Sequence, residues 1–161
     1  MDLLDRLLAH DAWTTSRLLE QSRALSEAQL DTNFDLGHQT VRLTFAHVIY
    51  NLEVWTALME GRDARALEER FTLGALEQRL KQTAPRLAAL ACRIRDQQLW
   101  DALWTDTLDN PPRQKTYGGG IGHILTHGVH HRAQIIHMLK RLSVKGVLEG
   151  DLLSWEAQSV S

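Results

Sequence analysis

Apolar residues recur at helical spacing in four stretches of this chain, and the segments between them are polar and rich in turn-forming residues. Taking Leu4 as origin and turning about 100° per residue, Leu7, Leu8 and Leu18 fall within about 60° of it, which predicts an amphipathic helix over residues 2–23. Trp13 lies on the opposite face and needs another partner. Residues 24–39 mix Ser26, Asn33 and Gly37 with isolated apolar side chains and show no sustained period, so they read as a connection crossing the bundle. A second helix is predicted over 40–60, apolar on nearly all sides through Leu43, Phe45, Val48, Ile49, Leu52, Val54, Trp55 and Leu58, with Gly61 ending it. Such a helix is either the most buried one or part of an oligomer interface.

The clearest stripe is Leu73, Leu76, Leu80, Leu87, Leu90 and Ile94, spaced three and four apart, which predicts a third helix over 72–97 with Pro85 kinking it. Between Trp100 and Gly120, Asn110, Pro111 and Pro112 mark a turn flanked by short Thr-containing runs that can pair as a small hairpin. A fourth helix is predicted over 119–142, with the glycines of YGGGIGH read as a flexible approach to it. In the tail, Leu152, Leu153 and Trp155 of DLLSW are candidates to cover one edge of the bundle. No internal repeat or low-complexity tract interrupts this pattern.

Composition narrows the class. A chain of 161 residues with 43% hydrophobic residues is the size of one domain with a substantial core. Eighteen Lys and Arg against 20 Asp and Glu give a formal charge of −2, with no block of one sign, so neither nucleic acid nor an anionic membrane is an expected partner. The single cysteine, Cys92, falls within the third helical pattern and is expected to pack as a small apolar group. The N-terminal stretch carries Asp2 and Asp5 rather than a basic region, and no apolar run reaches spanning length, so a reducing cytoplasm is the expected location.

The histidines carry the chemical signal. Of eight, five fall in the last helical stretch: His123, His127, His130, His131 and His137. Residues four apart on a helix differ by only about 40° and about 6 Å of rise, so His127 and His131 can clamp one metal ion. Their face also carries Ile124, Gln134, Ile135 and Met138 and therefore turns inward. His47 is centred on a similar face, with Leu43, Val54 and Leu58 within about 40°, and can supply a third ligand from a facing helix. Three neutral imidazoles suit zinc, nickel, iron(II) or copper and leave a position open for water or substrate.

An i, i+4 pair of histidines also occurs without any metal, and His123 stands four residues before His127, so spacing does not choose between the His123–His127 and His127–His131 clamps. On the first helix, Asp11 and Thr15 interrupt the apolar face, either as acceptors that orient the imidazoles or because the helix bends into solvent there. Asn51 and Glu53 near His47 admit the same two readings. There is no HExxH, no metal-binding Cys pair and no phosphate-cradling Gly loop in a fitting context, and Trp13, Trp55, Trp100, Trp104 and Trp155 are read as core or interface.

Two segments, HILTHGVHHRAQIIHML from His123 and LTFAHVIYNLEVW from Leu43, resemble the DinB/YfiT-like superfamily, and the resemblance extends through LLAHDAWTTSRLL, LSEAQLD, TDTLDNPP and DLLSW to essentially the whole chain. Its most specific element is the HxxxHR segment, although Ala133 stands where many relatives carry Gly. The resemblance implies an all-α, four-helix bundle of the DinB/YfiT-like type, with a short hairpin between helices three and four, as a single domain over 1–161. It implies that His47, His127 and His131 bind one divalent metal ion (zinc, nickel or iron), choosing His131 over His123. It further implies a metal-dependent enzyme acting on a small-molecule substrate, a role in stress response and a homodimer. The activity expected is transfer of a low-molecular-weight thiol, of the bacillithiol, mycothiol or glutathione kind, to electrophiles. A metal-dependent hydrolase and a non-catalytic, metal-stabilised bundle are the alternatives.

Overall fold

The computed structural model describes residues 1–64 and 71–159; residues 65–70 and the last two of the expected 1–161 domain lie outside the described residues. Four long helices build it: α1 (Leu3–Ser22), α3 (Val41–Met59), α4 (Leu73–Asp96) and α5 (Tyr117–Arg141). Between the first two lies a short α2 (Glu27–Leu30), before α5 a hairpin of β1 (Leu103–Asp106) and β2 (Arg113–Thr116), and after it α6 (Leu152–Ser159). α1 packs on α4 and α5, and α3 on the same two helices, which closes a four-sided bundle. The expected all-α class holds, with one antiparallel hairpin that pairs Leu103 with Thr116 and Asp106 with Arg113.

The helix ends follow from local chemistry. α1 opens on a capping box in which Asp2 and Asp5 each accept the other's backbone N–H. Thr40, Thr72 and Thr116 cap α3, α4 and α5 by accepting from the third backbone N–H of each helix. The connection of residues 24–39 is not wholly irregular: Ser26 and Gln29 form a second capping box, which lets the four residues of α2 close a turn despite their lack of period. α3 is indeed largely buried, and α4 and α5 account for that burial within one chain.

α5 begins two residues earlier than the sequence predicts, and its glycines are part of the helix rather than a flexible approach. The N–H groups of Tyr117 and Gly118 donate to the carbonyls of Ala102 and Trp100 at 3.1 and 2.8 Å, so first-turn donors are satisfied by the hairpin's approach. At Gly120 a Cβ would stand 2.8 Å from the Met59 sulfur, so the glycine permits close contact with α3 and the hairpin. In the tail, Trp155 is buried and meets His10 edge-on with ring centroids 6.3 Å apart, whereas Leu153 faces solvent. Among the described residues, no helix is long and apolar enough to cross a membrane.

Two apolar clusters fill the bundle. One gathers Leu18, Phe45, Ile49, Leu76, Ile135 and Met138; the other gathers Leu52, Leu87, Leu90, Trp104, Ile121 and Ile124. Along α5 the seam between them falls at His127 to His131, and along α3 it falls between Ile49 and Leu52, about one turn beyond His47. Imidazoles therefore lie at or within about one turn of the level where the apolar packing is interrupted.

Candidate metal centre

His47 on α3 and His127 and His131 on α5 come together across the bundle. The His47 and His131 Nε2 atoms lie 3.0 and 3.1 Å from His127 Nε2. One turn of α5 separates His127 from His131, and α3 packs against α5 closely enough for His47 to meet both. On the side of α5 turned towards α1 the helices also approach closely, at Gly128, where a Cβ would stand 2.6 Å from the Asp11 carboxylate and 2.8 Å from the Arg132 guanidinium.

Hydrogen bonding alone does not account for this cluster. A neutral imidazole nitrogen carries either one proton or one lone pair, so His127 Nε2 can make one good hydrogen bond, not two. A cation shared by the three nitrogens satisfies both contacts. Burial, followed by repulsion from neighbouring imidazoles, pushes His127 down to about 3 and His47 to about 4, and burial also lowers His131. All three rings are thus neutral near pH 7, the form that offers a lone pair to a metal. The donor set fits a borderline divalent ion.

Gln134 fixes the third imidazole. His131 Nδ1 donates to Gln134 Oε1 at 2.8 Å, leaving the Nε2 lone pair pointed at the cluster, and the Gln134 amide nitrogen lies 3.1 Å from His130 Nε2. His123 instead lies on the Trp55 ring, with centroids 4.6 Å apart, and is exposed at the flank of His127. His130 and His137 face solvent.

Asp11 does not bend into solvent, and the partner its carboxylate takes is an arginine. The aspartate is 4% exposed and takes an ion pair from Arg132, itself 2% exposed. Thr15 donates to the Asp11 backbone carbonyl at 2.8 Å, which explains a hydroxyl on that face. Glu53 is likewise engaged by the Arg79 guanidinium through two oxygens. The acids near the histidines hold helices together through arginine.

One residue of the cluster escaped the sequence reading. His38, in the connection before α3, stacks on His47 with ring centroids 3.7 Å apart and planes 27° from parallel. The ligand nitrogens of His38, His47 and His131 all lie within 4.8 Å of one another, a group able to hold a metal ion. No periodic pattern marks a loop residue, so only the bundle's closure reveals it.

No curated protein matches the chain. A protein-family model, that of the DinB family, matches residues 1–147.

Proposed function

This chain belongs to the DinB family, and from that premise we propose that it holds one divalent metal ion through His47, His127 and His131 and is a metal-dependent enzyme that transfers a low-molecular-weight thiol to electrophiles. The observation that carries the reading is the convergence of three neutral imidazole nitrogens, with two contacts at His127 Nε2 that one hydrogen bond cannot satisfy. An ion held with a position open would supply Lewis acidity there, lowering the pKa of a thiol or water so that it is a nucleophile at neutral pH.

The chain's own groups position that chemistry. α3 and α5 hold the three imidazoles, Gln134 keeps the proton of His131 on Nδ1, and the Asp11–Arg132 pair ties α5 to α1 beside the site. Thiol transfer is favoured over hydrolysis because Asp11 and Glu53, the acids closest in sequence logic to the histidines, are both engaged by arginines and do not serve as a base for water. The thiol comes from outside: Cys92 lies on α4 with its sulfur 3.8 Å from Asp5. A single domain over 1–161, a cytoplasmic location and a homodimer belong to the same proposal.

Elemental analysis of dialysed protein, wild type beside His127→Ala, tests the site. We expect about one metal per wild-type chain and none in the variant. Turnover of a bimane or halo-nitrobenzene electrophile with added thiol then tests the reaction. Absence of metal in the wild type, even after reloading with zinc and nickel, overturns the proposal; metal without turnover returns the chain to a non-catalytic, metal-stabilised bundle.

A further inference from the structure

His38 belongs to no helix. It sits in the loop that ends at Thr40, the cap of α3, and its neighbours adopt unusual backbone. Asp35, Gly37 and Gln39 have φ of 51°, 53° and 70°. Two of these three are not glycine, so the backbone carries strain on both sides of His38. The loop is nonetheless pinned: Phe34 N–H donates to the Gln39 carbonyl at 2.9 Å, Gln39 N–H to Leu36 at 2.8 Å, and Thr40 N–H to the carbonyl of His38 at 2.8 Å. It is seated against the site as well, because a Cβ on Gly37 would stand 2.5 Å from Oε1 of Gln134, the atom that receives the His131 proton.

What this strained, anchored loop delivers is one imidazole. The His38 ring lies against His47 and 5.2 Å, centroid to centroid, from His131. We infer that His38 is a fourth, displaceable ligand of the metal centre: a loop-borne imidazole that closes the site at rest and yields its position to an incoming thiol or other small donor. The inference rests on His47, His127 and His131 holding the ion.

Nitrogens bound to one ion at ~2.1 Å are at most ~4.2 Å apart. The His38, His47 and His131 nitrogens already lie within 4.8 Å of one another, close to that limit, so a modest side-chain rotation brings the His38 imidazole within reach of an ion held by His47 and His131. The other three ligands are fixed by two packed helices. His38 alone is carried by a loop, so it is the ligand that can leave, and the exchange is a plain substitution of one lone pair for another.

Cobalt(II) titration of the metal-free full chain, read by visible absorption and by competition with a chelator, tests this on wild type, His38→Ala, His38→Gln and His127→Ala. The expected result is that both His38 variants still take up one cobalt per chain, bind it at least about tenfold more weakly, and show a weaker visible band that added imidazole restores. Unchanged affinity and spectrum in both His38 variants, with binding abolished in His127→Ala, overturns the role of His38 and leaves the three-histidine site standing. No cobalt uptake by wild type overturns both. Circular dichroism of each variant separates loss of a ligand from loss of the fold.

Discussion

His131 Nδ1 donates to Gln134 Oε1 at 2.8 Å, three residues further along α5. Because the acceptor is a carbonyl oxygen, the proton must sit on Nδ1 and the lone pair on Nε2, the nitrogen that faces His127. Gln134→Leu keeps the volume and removes the acceptor, freeing the imidazole to adopt the wrong tautomer. Metal affinity should fall by about 10–100-fold while helicity is retained. Chelator competition measures it, and an affinity equal to wild type would mean that Gln134 does not orient the ring.

Asp11 and Arg132 form an ion pair in which both side chains are almost fully withdrawn from water. Removing one partner leaves the other charged and buried, so Asp11→Ala should cost about 3–5 kcal/mol of unfolding free energy. Asp11→Leu combined with Arg132→Met should recover much of that loss, since an apolar pair carries no desolvation penalty. Urea unfolding of the singles and the double measures both, and a loss below about 1 kcal/mol in Asp11→Ala would show that the pair does not hold α1 to α5.

Two glycines of α5 should respond in opposite directions. Gly122 has nothing within 4 Å of where its Cβ would lie, so Gly122→Ala should stabilise the chain by about 0.5–1 kcal/mol through helix propensity. At Gly128 the same methyl would meet the Asp11 carboxylate at 2.6 Å and the Arg132 guanidinium at 2.8 Å, and neither group can move without breaking the buried pair. Gly128→Ala should therefore lower the thermal midpoint where Gly122→Ala raises it. Stabilisation by both would show that the α1–α5 contact is looser than these distances require.

The four long helices were legible because burial acts on whole faces: the leucine stripe of α4 and the apolar girth of α3 set their ends to within one residue, at Leu73–Asp96 and Val41–Met59. The His127–His131 pair was legible for the same reason, since helical geometry fixes what four residues apart means. The start of α5 was misread because a run of glycines signals flexibility until a neighbour such as Met59 is known to need the space. Asp11 was misread because its partner, Arg132, is 121 residues away and no local rule joins them. His38 left no trace at all: its place beside His47 depends on left-handed backbone at Gly37 and Gln39, which only the closed loop specifies.

Stability of the metal-free chain should depend on pH through the histidine cluster. The ordinary histidine value is 6.5, and in the fold burial pushes His47 to about 4 and His127 to about 3, with neighbouring imidazoles adding to both shifts. Both groups bind fewer protons folded than unfolded in the interval between, so stability is full above pH 6.5 and is lost progressively as pH falls from 6.5 towards about 4 and then about 3. With chelator present, the thermal midpoint should drop steadily over that interval. His127→Ala removes one of the two most strongly shifted imidazoles, and its midpoint should fall less steeply over the same range. A metal-free wild type whose midpoint is flat between pH 6.5 and pH 4.5 would show that these imidazoles take up protons without opening the bundle, and that their burial is looser than the convergence at His127 implies.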